Sequence, residues 1–475
     1  MEEKIKKLEE FRQRYYNPYS FTSFSKDSSL AEIKKEFSPQ RAVSTAGRLI
    51  SLREHGKSAF FDIADATGKI QCYIKYNLAG QEQFELFSQL DLGDIVGVEG
   101  NLFLTHSGEK TILTKKITLL SKCLHTLPEK WHGLKDVELR YRERYLDLIA
   151  NVQSTEIFSK RVEIVKRIRE FLEEEGFLEV ETPMLHSLAG GATGRPFVTH
   201  HNALNIDLYL RIAPELYLKR ILVGGFDRIY EINRSFRNEG ISVKHNPEFT
   251  MLEAYACYRD YTYMMKLTQD LICRLAEAMY GSLEIEYGGK RIDFKPPWRR
   301  ISLANLLKEE FGLGYSVTEE EFVKKMSQEI EIKEGLSRSQ IINLIEDLIE
   351  SRFFGEQPVF VTDFYTWMSP LAKRKKEEPN LVERFELFCA GMELANAYSE
   401  LNDPQEQRKR FLEKAKSDEY SEGKIDYDFL KALEYAMPPA AGLGIGIDRL
   451  CMVLLNQPSI KDVIFFPLLK PKNET

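Results

Sequence analysis

IYEINRSFRNEGISVKHNPEFTMLEAY, residues 229–255, reads as two strands joined by a turn region. In the first run Tyr230, Ile232 and Phe236 fall on one side, with Glu231, Asn233, Arg237 and Glu239 on the other, the two-residue period of a strand. Gly240 and the Asn246-Pro247 pair mark the turn, since glycine frees the backbone and proline removes a ladder donor. Phe249, Met251, Glu253 and Tyr255 then share one face of the second run. Paired as an antiparallel hairpin, the runs could line one surface with Arg237, Glu239, Phe249, Glu253 and Tyr255. A guanidinium, carboxylates and an aromatic ring aimed at one spot suit a nucleotide and a charged small substrate. A surface hairpin laced with salt bridges fits the same pattern.

Around this stretch lie 475 residues, 43% hydrophobic and 29% charged, enough for two to four domains and a large core. The longest apolar runs fall short of a membrane span, and the chain opens MEEKIKKLEE without an apolar signal region, so we expect a cytoplasmic protein with no membrane partner. Six cysteines without a CxxC pair argue against a zinc site and a disulfide framework. A net charge of −7 argues against indiscriminate nucleic-acid binding, while leaving room for a local patch.

In chain order, 1–40 reads as an N-terminal helical extension with an apolar stripe through Ile5, Leu8, Phe11 and Tyr15. From 41 to 122, five short strands and a helical insert suit a five-stranded OB-type barrel. Such barrels hold single-stranded nucleic acid by stacking bases on aromatic rings, which makes Phe60, Arg53 and Gln71 candidates, although a lone Phe60 also fits a core position. Residues 123–150 read as a linker and a basic helix, whose RYRERY run is either a solvated face or a phosphate contact. The remainder, 151–475, opens on an amphipathic helix stopped by Gly176. The strand LEVETPML that follows ends near Pro183, which assigns it to an edge or an interface. Gly190-Gly191 permits close backbone approach to a ligand. APELYLKRIL starts a helix at Pro214, where Glu215 is favoured by the helix dipole. A helical insertion near 260–350, with a small β element at IEYGGKRIDF, interrupts the rest.

Common nucleotide motifs are missing. There is no GxxxxGK[ST] loop, and GLGIGI lacks the GxGxxG spacing. KKMSQ at 324–328 resembles a KMSKS loop, but it sits in an amphipathic helical stretch without a HIGH-type partner, and we read it as coincidence. Arg449 opens an apolar helix behind Gly442, Gly444 and Gly446. A cation there opposes the dipole unless an anion sits beside it, either a triphosphate or a neighbouring carboxylate. Glu386, Glu393 and Glu400 lie in or beside an apolar strand pair, so each should meet a cation or metal. Mg²⁺ held by Glu386 and Glu393 against phosphates fits hard oxygen ligands. Glu393 is out of parity with Asn396, Tyr398 and Glu400, which requires a bulge or turn near Gly391 if all face one pocket.

FRNE at 236–239 with HNPEF at 245–249, the segment ending in Pro183, and GLGIGIDR at 442–449 resemble motifs 2, 1 and 3 of class II aminoacyl-tRNA synthetases. APELYLKR, GGATGRPF and NAYSELNDP resemble the lysine-specific branch of bacterial type, over nearly the whole chain. The resemblance implies an α+β fold: an antiparallel synthetase sheet flanked by helices, plus the N-terminal barrel. It implies activation of L-lysine with ATP and transfer to tRNA(Lys), by a homodimer joined through the segment before Pro183. Arg237 would bridge the α-phosphate and the amino acid's carboxylate; Glu239 would contact the adenine amino group, His245 the triphosphate, and Phe249 and Arg449 the two faces of adenine. Glu386 and Glu393 would hold magnesium. Gly191, Glu215, Glu253, Tyr255, Asn396, Tyr398 and Glu400 would line the lysine pocket, and Arg53, Phe60, Gln71 and Glu109 would read the anticodon.

Three carboxylates in one pocket ask for a cationic ligand and reject aspartate or asparagine, the substrates of the sister enzymes. A non-catalytic RNA-binding relative would need none of Arg237, Glu239, Glu386, Glu393 and Arg449. One departure stands out. Where relatives usually carry a proline and a glutamate shortly after Thr362-Asp363, this chain has Tyr365 and Trp367, which bears on local loop structure or on acceptor-end contacts.

Overall fold

The computed structural model describes residues 1–128, 134–188, 190, 194–329, 345, 355, 357–417 and 425–471. The chain divides into two compact units, Met1–Thr155 and Glu156–Thr475.

In the first unit β1 (Ala42–His55), β2 (Ser58–Asp65), β3 (Gly68–Lys75), β4 (Ile95–Leu104) and β5 (Lys110–Ser121) form a closed barrel in the order β1-β2-β3-β5-β4. Gly56, at φ +60, makes the tight turn between His55 and Ser58 that starts the β1–β2 ladder. Alternation fills the interior: Phe61, Ile63, Cys72, Ile74, Val96 and Val98 are all fully buried. Helix Gln81–Phe87 adds Leu86 and Phe87 to this core, and helix Glu2–Arg14 adds Phe11. Of the arginines in the RYRERY run, Arg142 pairs with the exposed Glu138 one turn earlier at 2.7 Å, whereas the other two turn inward. Arg140 and Arg144 both grip Asp147, whose side chain is fully buried, because a carboxylate there requires charged donors.

The second unit is built on an eight-stranded sheet. Its strands are β6 (Leu178–Glu179), β10 (Arg228–Phe236), β11 (Glu248–Cys257), β14 (Arg299–Ser302), β15 (Val359–Thr362), β16 (Arg384–Cys389), β17 (Met392–Ser399) and β18 (Ala440–Gly446). β7 (Leu185–His186), β8 (Val198–His201) and β9 (Ile206–Leu210) make a small second sheet, and β12 (Glu284–Tyr287) pairs with β13 (Lys290–Asp293). The main order is β14-β15-β16-β17-β18-β11-β10-β6, antiparallel apart from the outermost pairs. The segment leading to Pro183 thus supplies an edge strand of two residues, since proline cannot donate to a ladder.

One face of the sheet is apolar. Tyr230, Leu252, Ala254, Leu387, Leu443 and Ile445 pack with helices Val152–Glu174, Tyr261–Tyr280 and Ile447–Leu454 in a single core. Asp260 caps the middle helix by accepting from the N–H groups of Thr262 and Tyr263, and Gly281 ends it at φ +64. Two elements of the stretch read as an insertion near 260–350 lie within the synthetase sheet and its core. Helix Tyr261–Tyr280 belongs to the main core because it buries an apolar face there, and β14 joins the main sheet through its parallel ladder with β15; 330–344 and 346–354 lie outside the described residues. KKMSQ lies within helix Glu319–Glu329, with Met326 buried. The other face of the sheet carries the polar residues.

Candidate active site

The floor of the site is β18. Gly442, Gly444 and Gly446 alternate with the core residues Leu443 and Ile445, so from Gly442 onward one face of this strand bears no side chains. Its neighbours flank that bare strip: Tyr255 and Tyr398 pair with Gly442, Glu253 and Asn396 with Gly444, and Met251 with Gly446. The glycines are needed for space. A Cβ at Gly442 would lie 2.1 Å from Glu400 Oε1 and 2.5 Å from the Tyr255 ring.

β17 completes the strip through a bulge. Leu387 pairs with Ala395 and Phe388 with Glu393, so Leu394 is the extra residue, and both Leu394 and Ala395 are buried in the core. Glu393, Asn396 and Tyr398 are thereby brought onto one face, and the Asn396 amide lies 3.4 Å from Glu393 Oε1. Ala390 and Gly391, at φ +52 and +72, make the turn before it.

At one end of the strip Glu215, Glu253 and Glu400 converge. Glu215 opens helix Glu215–Val223, and its Oε1 accepts from the Tyr398 hydroxyl at 2.5 Å. Glu253 accepts from the Tyr255 hydroxyl at 3.1 Å. All three side chains are buried. Burial, and next the charge of Glu215, pushes the Glu253 carboxyl up to about 8. Glu400 is also raised to about 8, by burial first, with Lys219 opposing and Glu215 adding. Burial likewise drives the Tyr255 and Tyr398 phenols well above their ordinary range, so both stay hydrogen-bond donors. Lys219, which parity and motif reasoning missed, pairs with Glu400 and lies 2.7 Å from Glu215 Oε1. Its signal in the sequence was the i, i+4 spacing from Glu215. Glu231, opposite Glu253 on β10, is held by Arg211 at 2.7 Å and by the Thr182 hydroxyl, which ties the edge segment to the hairpin.

Cations gather at the other end. Arg237 follows the last residue of β10, and its guanidinium lies 5.1 Å from the Phe249 ring centroid. Glu239 is exposed, and a Cβ at Gly194 would lie 3.2 Å from its Oε1. Arg449 donates to the Glu393 carbonyl at 2.9 Å and lies 3.3 Å from its carboxylate, and its other terminal nitrogen is 2.9 Å from His245 Nε2. Arginine can only donate, so that ring nitrogen accepts and Nδ1–H is left for Ser242 Oγ, 2.9 Å away. The Lys244 ammonium fastens this loop to the Gly391 carbonyl at 2.7 Å. Glu386 is buried and paired with Arg384. Arg449 is positioned through its neighbour: Asp448 accepts from the Thr250 N–H and pairs with Arg161 at 2.7 Å. Sequence reading had found neither Arg161 nor Arg384. Gly191 lies outside the described residues.

On the barrel Phe60 faces outward, half-buried, its ring 4.5 Å from that of Tyr73, with Phe103 6.2 Å further on. Arg53 is paired with Phe60 across the β1–β2 ladder, and Gln71 accepts from the Thr111 hydroxyl at 2.9 Å. Glu109 is exposed, 4.0 Å from Lys34. Tyr73 and Phe103 were missed, though Tyr73 shares parity with Gln71.

The family model of class II tRNA synthetases (D, K and N) matches residues 136–470, and that of the OB-fold nucleic acid binding domain matches 43–120. The chain belongs to the class II tRNA synthetases. This synthetase is 52% identical to a lysine–tRNA ligase of Pelotomaculum thermopropionicum, over 98% of this chain and 94% of that one. It is 50% identical to that of Moorella thermoacetica (99% and 98% covered) and 49% to that of Thermotoga maritima (99% and 96%). The synthetase sheet and the closed barrel both accord with the fold that the motifs implied. Among its described residues no helix is long and apolar enough to cross a membrane.

Proposed function

We infer that this synthetase is a lysine–tRNA ligase, which joins L-lysine to ATP as lysyl-adenylate and passes the lysyl group to the 3′ end of tRNA(Lys). The observation that carries the reading is the buried trio Glu215, Glu253 and Glu400 at one end of a glycine-floored strip whose other end is cationic. An amino acid with an ammonium on its side chain supplies the charge those carboxylates lack; aspartate would add a fourth anion.

Arg237 bridges the α-phosphate and the substrate carboxylate. Phe249 and Arg449 enclose adenine, Glu239 takes its amino group, and His245 meets the triphosphate. A lysine carboxylate oxygen attacks the α-phosphorus in line, the bond to the bridging oxygen breaks, and pyrophosphate leaves. A ribose hydroxyl of the tRNA end then attacks the adenylate's carbonyl carbon and AMP departs. No protein nucleophile is required; the residues position the reactants and neutralise charge. Glu386 and Glu393, on paired strands either side of the bulge, offer hard oxygen donors of the kind that would hold magnesium. The chemistry gained there is neutralisation of phosphate charge.

Tyr255, Asn396 and Tyr398 complete the lysine pocket together with Gly191. On the barrel Phe60, with Tyr73 and Phe103 beside it, stacks anticodon bases, while Arg53, Gln71 and Glu109 contact their edges. The enzyme acts in the cytoplasm as a homodimer. The outer edge of β6, unpaired among the described residues, and the exposed Leu178, Met184 and Leu185 support a partner surface there, and sedimentation at micromolar concentration should return twice the chain mass.

ATP–pyrophosphate exchange with each amino acid in turn tests the reading. Lysine alone should drive exchange. Exchange driven by aspartate or asparagine would assign the chain to a sister enzyme, and none with any amino acid would leave an RNA-binding relative.

A further inference from the structure

Lys219 has no part in the roles assigned so far. Its side chain is fully buried one turn after Glu215, bridging Glu215 and Glu400, with the rings of Tyr398 and Phe429 5.5 and 6.0 Å from its ammonium. A buried ammonium is costly unless carboxylates surround it. Burial weakens its hold on a proton, but Glu215 and Glu400 more than restore it, so this cation is permanent. Glu253 stands differently: among the described residues its hydrogen bond comes from the Tyr255 hydroxyl, and no lysine or arginine forms an ion pair with it.

We propose that Lys219 is a positioning residue of the amino-acid pocket, whose ammonium bridges Glu215 and Glu400 into a fixed arrangement and leaves Glu253 to await the substrate's charge. The proposal rests on the lysine reading above. Three carboxylates without a resident cation would repel one another and take up protons. With Lys219 in place, Glu215 and Glu400 are pinned by one shared ammonium, and Glu253 is left for the charge that a lysine side chain brings. The charged groups come from several elements. Glu215 shares the helix with Lys219, Tyr398 and Glu400 come from β17 and the residue after it, and Glu253 and Tyr255 come from β11. Glu231 of β10 raises Glu253 and Arg211, just after β9, lowers it, while Arg384 of β16 acts on Tyr398. Helix Tyr427–Leu433 presents only the ring of Phe429 to the ammonium among its described contacts.

The test is exchange measured on the full chain from about pH 6 to 9 with Lys219→Met, Lys219→Gln and Lys219→Arg. Removing the charge should raise KM for lysine roughly tenfold or more at neutral pH, leave KM for ATP unchanged, and move the acid limb of kcat/KM for lysine to higher pH. Lys219→Arg should keep the limb near its original place. A folded Met or Gln variant with the original KM and limb, or with lysine and ATP weakened equally, overturns the proposal. If neither neutral variant folds, Lys219 serves stability alone and the proposal also falls. Failure of the underlying reading shows separately, as absence of lysine-driven exchange in the unsubstituted chain.

Discussion

Glu253 and Glu400 owe their chemistry to burial beside one another. A carboxyl raised to about 8 has a folded value above its ordinary 4.5, so between those limits the native state binds more protons than the unfolded chain. Stability should therefore fall as pH rises through that window and level off above it. A bound ammonium reverses the preference by favouring the carboxylate. Lysine uptake near pH 7 should then release protons, and affinity should tighten as pH climbs toward about 8; calorimetry in two buffers of different ionisation enthalpy reads both effects. Glu400→Gln keeps the shape but loses charge, and should raise KM for lysine roughly ten- to hundred-fold with little change for ATP. Equal loss of both substrates would remove Glu400 from the lysine pocket. The types and parity of these residues were legible along the chain. Lys219 was not, because the i, i+4 spacing of an ion pair looks the same on a solvated helix face as at the base of a pocket.

Two elements make the site a cavity. β18 does so by omission, and its glycines are not equivalent. Gly442→Ala sets a methyl against Glu400 and Tyr255 at 2.1 and 2.5 Å, whereas Gly444→Ala meets the flexible end of Met251 at 3.2 Å. Gly442→Ala should all but abolish lysine-driven exchange and Gly444→Ala should reduce it modestly; equal effects would show that the floor is not where the geometry puts it. β17 does so by carrying an extra residue. Its need was readable in the broken parity of Glu393, but its place at Leu394, rather than at Gly391 itself, depends on which partner strand runs alongside. The departure at Tyr365 and Trp367 also resolves at this scale. The two rings stack at 5.9 Å and 9°, the Tyr365 hydroxyl donates to the Gly314 carbonyl, and the Trp367 indole donates to Val317. They bind the segment before β16 to a separate apolar cluster with Phe322 and Leu307. Tyr365→Ala should cost ~3–5 kcal/mol in urea unfolding while leaving both KM values unchanged.

Across the whole molecule, the two units divide the labour assigned to them. Phe60 belongs to the barrel unit and the adenylate residues to the other. Phe60→Ala should thus weaken tRNA charging by the worth of one base stack, ~1–3 kcal/mol or roughly five- to hundred-fold in KM for tRNA, with exchange untouched. Loss of exchange as well would place Phe60 in the fold rather than on an RNA surface. The barrel, the hairpin and the identity of the acid and base residues can be read along the chain, because side-chain alternation and turn chemistry act over a few neighbours and leave a local record. The chain also carries the family motifs. It takes the folded chain to set Glu400 beside Tyr255 across a bare glycine, to lean Arg449 on His245, and to fill part of an acidic pocket with a resident lysine. Those pairings join residues up to about two hundred positions apart. Their energies depend on burial and on the approach of strands, and neither leaves a periodic trace in the chain.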